Sequence, residues 1–144
     1  MDDLDERFST ALHGTARAWR QAIDRRLKYL GVSQASWMAI TVAAKAQQPL
    51  SQSELADQLG VEGATMVAMV DRLVKAGLAS REPSTTDRRI KHVVITEAGY
   101  RLYDTVRAQA TAVRKELLAN IDRQKLEAAT DVLEALQGMI EAAP

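Results

Sequence analysis

Apolar residues recur at steps of three and four in the first part of the chain, where Phe8, Leu12, Ala16, Trp19, Ile23, Leu27 and Leu30 make one stripe. On a helix of 3.6 residues per turn they share a face, which predicts one long helix over 5–30, ended by Gly31. Ser33 offers an N-cap to a second helix carrying Trp37, Ile40 and Val42, which fades at Gln47-Gln48-Pro49. Ser51-Gln52-Ser53-Glu54 then has the spacing of a capping box, opening a short helix with Leu55, Ala56 and Leu59 on its buried face and Gly60 as its stop. Apolar periodicity resumes at Met66, Val67, Val70 and Leu73 and closes at Gly77, just after Lys75, a cation where the helix dipole favours one.

Beyond Leu78 the period changes from three or four to two. Residues 79–82 and 90–95 read as strands around the loop Pro83-Ser84-Thr85-Thr86-Asp87, with Val93 and Ile95 alternating against Val94 and Thr96. Two helices finish the chain. Leu102, Val106, Val113 and Leu117 make the stripe of the first, and Leu126, Ala129, Leu133, Leu136 and Ile140 that of the second, with Asp122 as its cap. The pattern is mainly α with a small β-hairpin, and the hairpin follows a tight helix pair as a wing does.

A helix pair over Ser51–Leu73 joined through Gly60 is helix-turn-helix geometry, in which the second helix fits the DNA major groove. Leu55, Leu59, Met66, Val70 and Leu73 would hold the pair, leaving Glu62, Gly63, Ala64, Thr65, Ala68 and Met69 toward the exposed start of the second helix. A plain core pair with a glycine turn has the same spacing. The hairpin adds a second signal: Arg88 and Arg89 beside Asp87 at a loop tip suit a wing that lays a guanidinium in the minor groove, although a solvated charged turn has that composition too. Asp87 is placed to take Arg89 in a bidentate pair that holds its fork rigid before DNA arrives.

Composition changes this picture only in places. The 144 residues suit one domain with its own core, hydrophobic residues are 47% and charged residues 26%, and there is no cysteine. Disulfides and thiolate metal sites are thereby excluded, as is thiol redox sensing. The formal net charge is zero, which argues mildly against nucleic acid. Locally the balance differs: residues 79–92 hold Arg81, Arg88, Arg89 and Lys91 against Glu82 and Asp87. MDDLDERF is acidic and lacks an apolar signal core, and no apolar run nears the roughly 20 residues that span a bilayer, so a cytoplasmic protein with no membrane partner is expected. His13 and His92 lack acidic neighbours at metal-ligand spacing, and no catalytic constellation or phosphate-cradling loop stands out, so neither a cofactor nor an enzyme is expected.

The stretch Asp87-Arg88-Arg89-Ile90-Lys91-His92-Val93-Val94-Ile95-Thr96-Glu97-Ala98-Gly99 resembles the wing signature of the MarR family, Asp-x-Arg-x-x-x-Val-x-Leu-Thr-x-x-Gly, with Ile95 in place of leucine. Ser51–Leu59, Asp71-Arg72-Leu73 and Gly77-Leu78 fall where that family places them, while Arg17-x-Trp19 and Ser33-Gln34-x-x-Trp37 are similar to its SlyA branch. The resemblance covers almost the whole chain and implies a single domain over 1–144: dimerisation helices at 5–30 and 97–142 around a winged helix-turn-helix lobe at 33–95. It further implies a triangular homodimer that regulates transcription, commonly as a repressor, on a palindromic double-stranded DNA operator. The expected DNA-contacting set is Ser51, Gln52, Ser53, Glu62, Gly63, Ala64, Thr65, Ala68, Met69, Arg72, Asp87, Arg88, Arg89 and Lys91.

Ala68 departs from SlyA-like proteins, which commonly have a base-reading arginine there. An alanine methyl can touch a thymine methyl but cannot fork onto guanine, so affinity should lean on the wing and on phosphate contacts. For Arg72, phosphate contact and an ion pair within the domain both remain open. The resemblance also implies a crevice for a small phenolic or aromatic carboxylate effector, with Arg17, Ala35, Trp37 and Thr41 at the matching positions. Core packing for Trp37 and a surface ion pair for Arg17 are the plain alternatives. At the level of the whole protein the alternative is a winged-helix protein-interaction module without specific DNA binding.

Overall fold

A computed structural model describes residues 3–144; Met1 and Asp2, part of the acidic N-terminal stretch, lie outside the described residues. The chain divides into two compact units, the first extending to Thr111 and the second running over Ala112–Pro144. Among the described residues, six α-helices and three short strands follow in the order α1 (Leu4–Leu27), α2 (Gln34–Lys45), β1 (Leu50–Ser51), α3 (Gln52–Leu59), α4 (Gly63–Lys75), β2 (Ala79–Pro83), β3 (Lys91–Ile95), α5 (Glu97–Leu118) and α6 (Arg123–Ala142).

Helix α1 is shorter than the stripe suggested. The regular helix stops at Leu27, residues 28–30 tighten into a single 3₁₀ turn, and Gly31 ends it in the left-handed conformation. Ile23 and Leu27 are the buried members of that stripe, whereas Phe8 near its start is exposed. Helix α2 starts as expected, the Ser33 hydroxyl accepting from the Ser36 N–H. The capping box of α3 is complete: Ser51 Oγ accepts from Glu54 N–H at 3.1 Å and Glu54 Oε1 from Ser51 N–H at 3.1 Å. These bonds satisfy two donors that a helix start otherwise leaves open. Gly60 ends α3 at φ +68, a left-handed conformation in which any larger residue is strained.

The hairpin is a three-stranded antiparallel sheet in the order β1-β3-β2. Ala79 faces Ile95, Arg81 faces Val93 and Pro83 faces Lys91, while Leu50 faces Val93 across the other edge. Strand β1 has no counterpart in the sequence reading, since two residues are too few to show a period of two. Pro83 falls at the end of an edge strand, where the lack of an N–H does least harm.

The core of the first unit lies among α2, α3, α4 and the sheet. Ile40, Leu55, Met66 and Val70 are fully enclosed, joined by Ala39, Ala56, Met69, Leu73, Ala79, Val93 and Ile95, with Leu102 and Tyr103 of α5 packed against them. Met69 was expected on the exposed start of α4; it is 3% exposed and belongs to this core. The physical reason is position, because Met66, Met69, Val70 and Leu73 are spaced by three and four and share one face.

Thr96 and Gly99 tie the sheet to α5. Thr96 Oγ1 donates to the Gly77 carbonyl at 2.7 Å and accepts from the Gly99 N–H at 3.1 Å. A Cβ at Gly99 would collide with the Leu78 carbonyl and the Ile95 side chain, so the backbones approach this closely only with glycine there. The Thr-x-x-Gly ending of the wing motif is therefore a cap and a close contact.

The second unit holds the end of α5 and the whole of α6, which Asp122 caps through the Lys125 N–H at 3.1 Å. Among its residues Val113 is buried, but α6 buries none of its own side chains, and Val132, Leu133, Met139 and Ile140 are exposed.

Candidate nucleic-acid interface

Helix α4 is set by its core face. With Met66, Met69, Val70 and Leu73 turned inward, the 100° step per residue puts Ala64, Ala68, Asp71 and Lys75 on the opposite side, all exposed. Thr65 and Arg72 flank that row on one side and Val67 on the other, and these too are exposed. Glu62 occupies the N-cap position without a side-chain capping bond, and Gly63 begins the helix. The exposed row is small and uncharged at its start and charged toward its end. Lys75 belongs to it although the sequence reading gave it only a helix-dipole role; its step of seven from Ala68 was the available signal.

The start of α3 lies beside this face. Ser53 is exposed, Ser51 is half-buried and serves as the cap, and Gln52 Oε1 accepts from Arg81 Nε at 2.6 Å. Arg81 also donates through Nη2 to the Val67 carbonyl at 3.3 Å and pairs with Asp71 Oδ1 at 2.7 Å. No ion pair of Arg72 is seen among the described residues; the cation that pairs with an acid of α4 is Arg81. Arg72 is exposed at the rim of a small hollow of about 210 Å3 that Ser33, Ser36 and Leu78 also line.

The wing tip is ordered from within. Ser84, buried in the loop, accepts through Oγ from the Thr86 and Asp87 N–H groups at 3.2 and 3.4 Å, while Ser84 N–H donates to the Ile90 carbonyl at 2.8 Å. Asp87 Oδ1 accepts from the Arg89 N–H at 3.0 Å and from Nε at 3.1 Å, and Oδ2 accepts from Nη2 at 3.1 Å. Arg89 remains 91% exposed, so its fork is aimed without being covered. The Arg89 side chain, followed by its backbone N–H, holds the Asp87 carboxyl below its ordinary value against a small opposing effect of burial. Arg88 and Lys91 stand exposed on the same hairpin. Glu54 is also held low, first by the Ser51 backbone N–H and then by the Ser51 hydroxyl.

The four effector positions are brought together only in part. Trp37 and Thr41 lie one turn apart on α2, with Thr41 Oγ1 donating to the Trp37 carbonyl at 2.8 Å. Trp37 Nε1 is buried with no hydrogen-bond partner among the described residues. Ala35 and Arg17 are exposed, and no hydrogen bond or ion pair joins Arg17 to α2 among the described residues. The described residues contain no group of three or more His, Cys, Asp or Glu placed to hold a metal ion, and no helix long and apolar enough to cross a membrane.

The MarR family model matches residues 38–91, from within α2 to the first residue of β3. The solved structure of transcriptional regulator PA3341 is 38% identical, covers 94% of this chain and 99% of its own, and superposes with a TM-score of 0.84. A MarR-family transcriptional regulator from Rhodococcus sp. RHA1 is similar at 23% identity, with 94% and 96% of the two chains covered and a TM-score of 0.81. Staphylococcus aureus MarR, solved in complex with salicylate and kanamycin, shares the fold at 20% identity, 97% and 95% coverage and a TM-score of 0.85. Identity of this extent over nearly the whole length, with a family match on the winged helix-turn-helix itself, assigns the chain: it belongs to the MarR family of transcriptional regulators.

Proposed function

We propose that the protein works as one domain over 1–144, as a cytoplasmic homodimeric repressor that sets two α4 helices into successive major grooves of a palindromic operator. The observation that carries this reading is the pairing of an exposed α4 face with a wing arginine already held in its fork by Asp87. Arg89 then enters the flanking minor groove, and Arg88, Lys91, Arg72 and Lys75 supply phosphate contacts. Ala64 and Ala68 leave α4 little to read except thymine methyls, so Thr65 and the neighbouring cations carry more of the binding. Ser51, Gln52 and Ser53 approach the backbone at the start of α3, with Glu62 and Gly63 at the mouth of α4; Met69 plays no part. The exposed apolar residues of α6 are a surface a second copy covers. Dimerisation would hold the two recognition helices roughly 34 Å apart, one turn of duplex.

Selection from a random duplex library followed by a salt titration tests this. The expected result is an enriched palindrome with half-sites one turn apart, bound less tightly in proportion to the phosphates contacted as salt rises. An unselective protein whose weak DNA binding is the same in wild type and Arg89→Ala would overturn it.

A small aromatic carboxylate is proposed as the effector. Salicylate in the S. aureus relative has this chemistry, whereas p-coumaroyl-CoA in CouR from Rhodococcus jostii RHA1 is a thioester and shares with it only the phenolic ring. In this chain the buried, unpartnered Trp37 Nε1 is a donor that a carboxylate oxygen would satisfy. Calorimetry with salicylate on the wild type and on Arg17→Ala checks the site, and equal heats would remove Arg17 from it.

A further inference from the structure

Arg81 spans three elements from the base of the wing. It leaves β2, reaches the first residue of α3 through Gln52 Oε1 at 2.6 Å, and meets α4 twice, at the Val67 carbonyl at 3.3 Å and at Asp71 Oδ1 at 2.7 Å. Its side chain is 27% exposed, whereas that of Asp71 is 61% exposed on the outward row of α4. The apolar contacts that seat α4 are non-directional and allow small rotations about the helix axis. Hydrogen bonds from a planar guanidinium are directional, and three acceptors on two helices leave little freedom. Asp71 also places a negative charge among residues that would face phosphates, where an unpaired carboxylate repels DNA.

We propose that Arg81 is the positioning residue of the DNA-binding surface: it locks the wing base, the start of α3 and the outward edge of α4 together, and it cancels the charge of Asp71. The inference rests on the regulator reading above. Arg81 acts through Gln52 and Asp71 and contacts no DNA, so losing it removes affinity without removing a phosphate contact. Gln52 takes its orientation from the same clamp, its carbonyl end being held by Arg81 and its amide N–H groups left to donate.

The test uses the full chain and a duplex recovered from the selection, with binding measured over a range of salt. Arg81→Ala is expected to weaken binding about tenfold or more, with the slope of log Kobs against log salt unchanged. Adding Asp71→Asn to Arg81→Ala should recover about threefold or more by removing the exposed charge. Arg81→Lys should not restore binding, because an ammonium cannot serve the three acceptors with the geometry of the fork. A thermal melt monitors folding, and if Arg81→Ala fails to fold, Arg81→Lys decides on the same two readouts. Affinity within about threefold of wild type overturns the inference, as does a double variant no better than Arg81→Ala. A slope reduced by about one unit also overturns it by making Arg81 a direct phosphate contact. A wild type that selects no duplex overturns the regulator reading and this inference with it, whereas a binding wild type matched by Arg81→Ala overturns the inference alone.

Discussion

Helices α4 and α6 are built on the same apolar spacing and meet opposite fates. Helix α4, of 13 residues, buries Met66, Met69, Val70 and Leu73 and leaves a small, partly charged face to solvent. Helix α6, of 20 residues, buries none, and Met139 on it is 67% exposed. Periodicity reports which residues share a face, but not what covers that face. In α4 the cover is the chain's own α2, α3 and sheet, whereas the stripe of α6 stays largely exposed.

The largest expected effect is on the covered side. Met66→Ala should destabilise the folded protein by about 2–5 kcal/mol, read from urea unfolding, because a fully enclosed side chain leaves a cavity. Leu133→Ala should cost far less in the same experiment at low protein concentration, while Leu133→Asp should shift sedimentation toward the monomer. A Leu133→Asp protein that stays dimeric would remove α6 from the proposed interface.

Gly99→Ala comes next. It should cost about 1–3 kcal/mol by overpacking against the Leu78 carbonyl and Ile95, visible as a lower Tm. Arg89→Ala should lower stability only slightly, the pair being exposed, and weaken operator binding about tenfold, with the salt slope falling by about 0.9 if one phosphate contact goes with it.

The smallest effect concerns pH. Since Arg89 lowers the Asp87 pKa from its ordinary 3.8, the pair stabilises the wing fully at neutral pH, above the unfolded-state pKa. That contribution is lost as pH falls through the lower folded-state value. The Asp87 carboxyl carbon in NMR should accordingly titrate below 3.8, returning toward it in Arg89→Ala. A midpoint unaffected by Arg89→Ala would mean that the pair does not persist in solution.

Much of this architecture is legible in the sequence, and the misses share a cause. The capping box, the Gly60 stop, the Asp122 cap and the Asp87–Arg89 fork involve residues within a few positions of one another, so local chemistry reveals them. Strand β1 escapes because it exists only through its pairing with β3, about forty residues away. Arg81 reads as one cation of a basic hairpin until folding brings Gln52 and Asp71 to it. Met69 is a different case: its spacing from Met66, Val70 and Leu73 carries the signal, which its nearness to the helix start obscures. Of the proposed effector positions Arg17, Ala35, Trp37 and Thr41, only the one-turn step from Trp37 to Thr41 is joined by local hydrogen bonding.

The internally bonded wing tip also has a kinetic consequence. Because Ser84 and Asp87 fix the loop in the free protein, its conformational entropy is lost when the chain folds and not when DNA arrives. Encounter with the duplex can then proceed by rigid docking steered by charge, without waiting for a loop to order. Salt should therefore act chiefly on the association rate, and the lifetime of the complex should depend on how well α4 fits its groove.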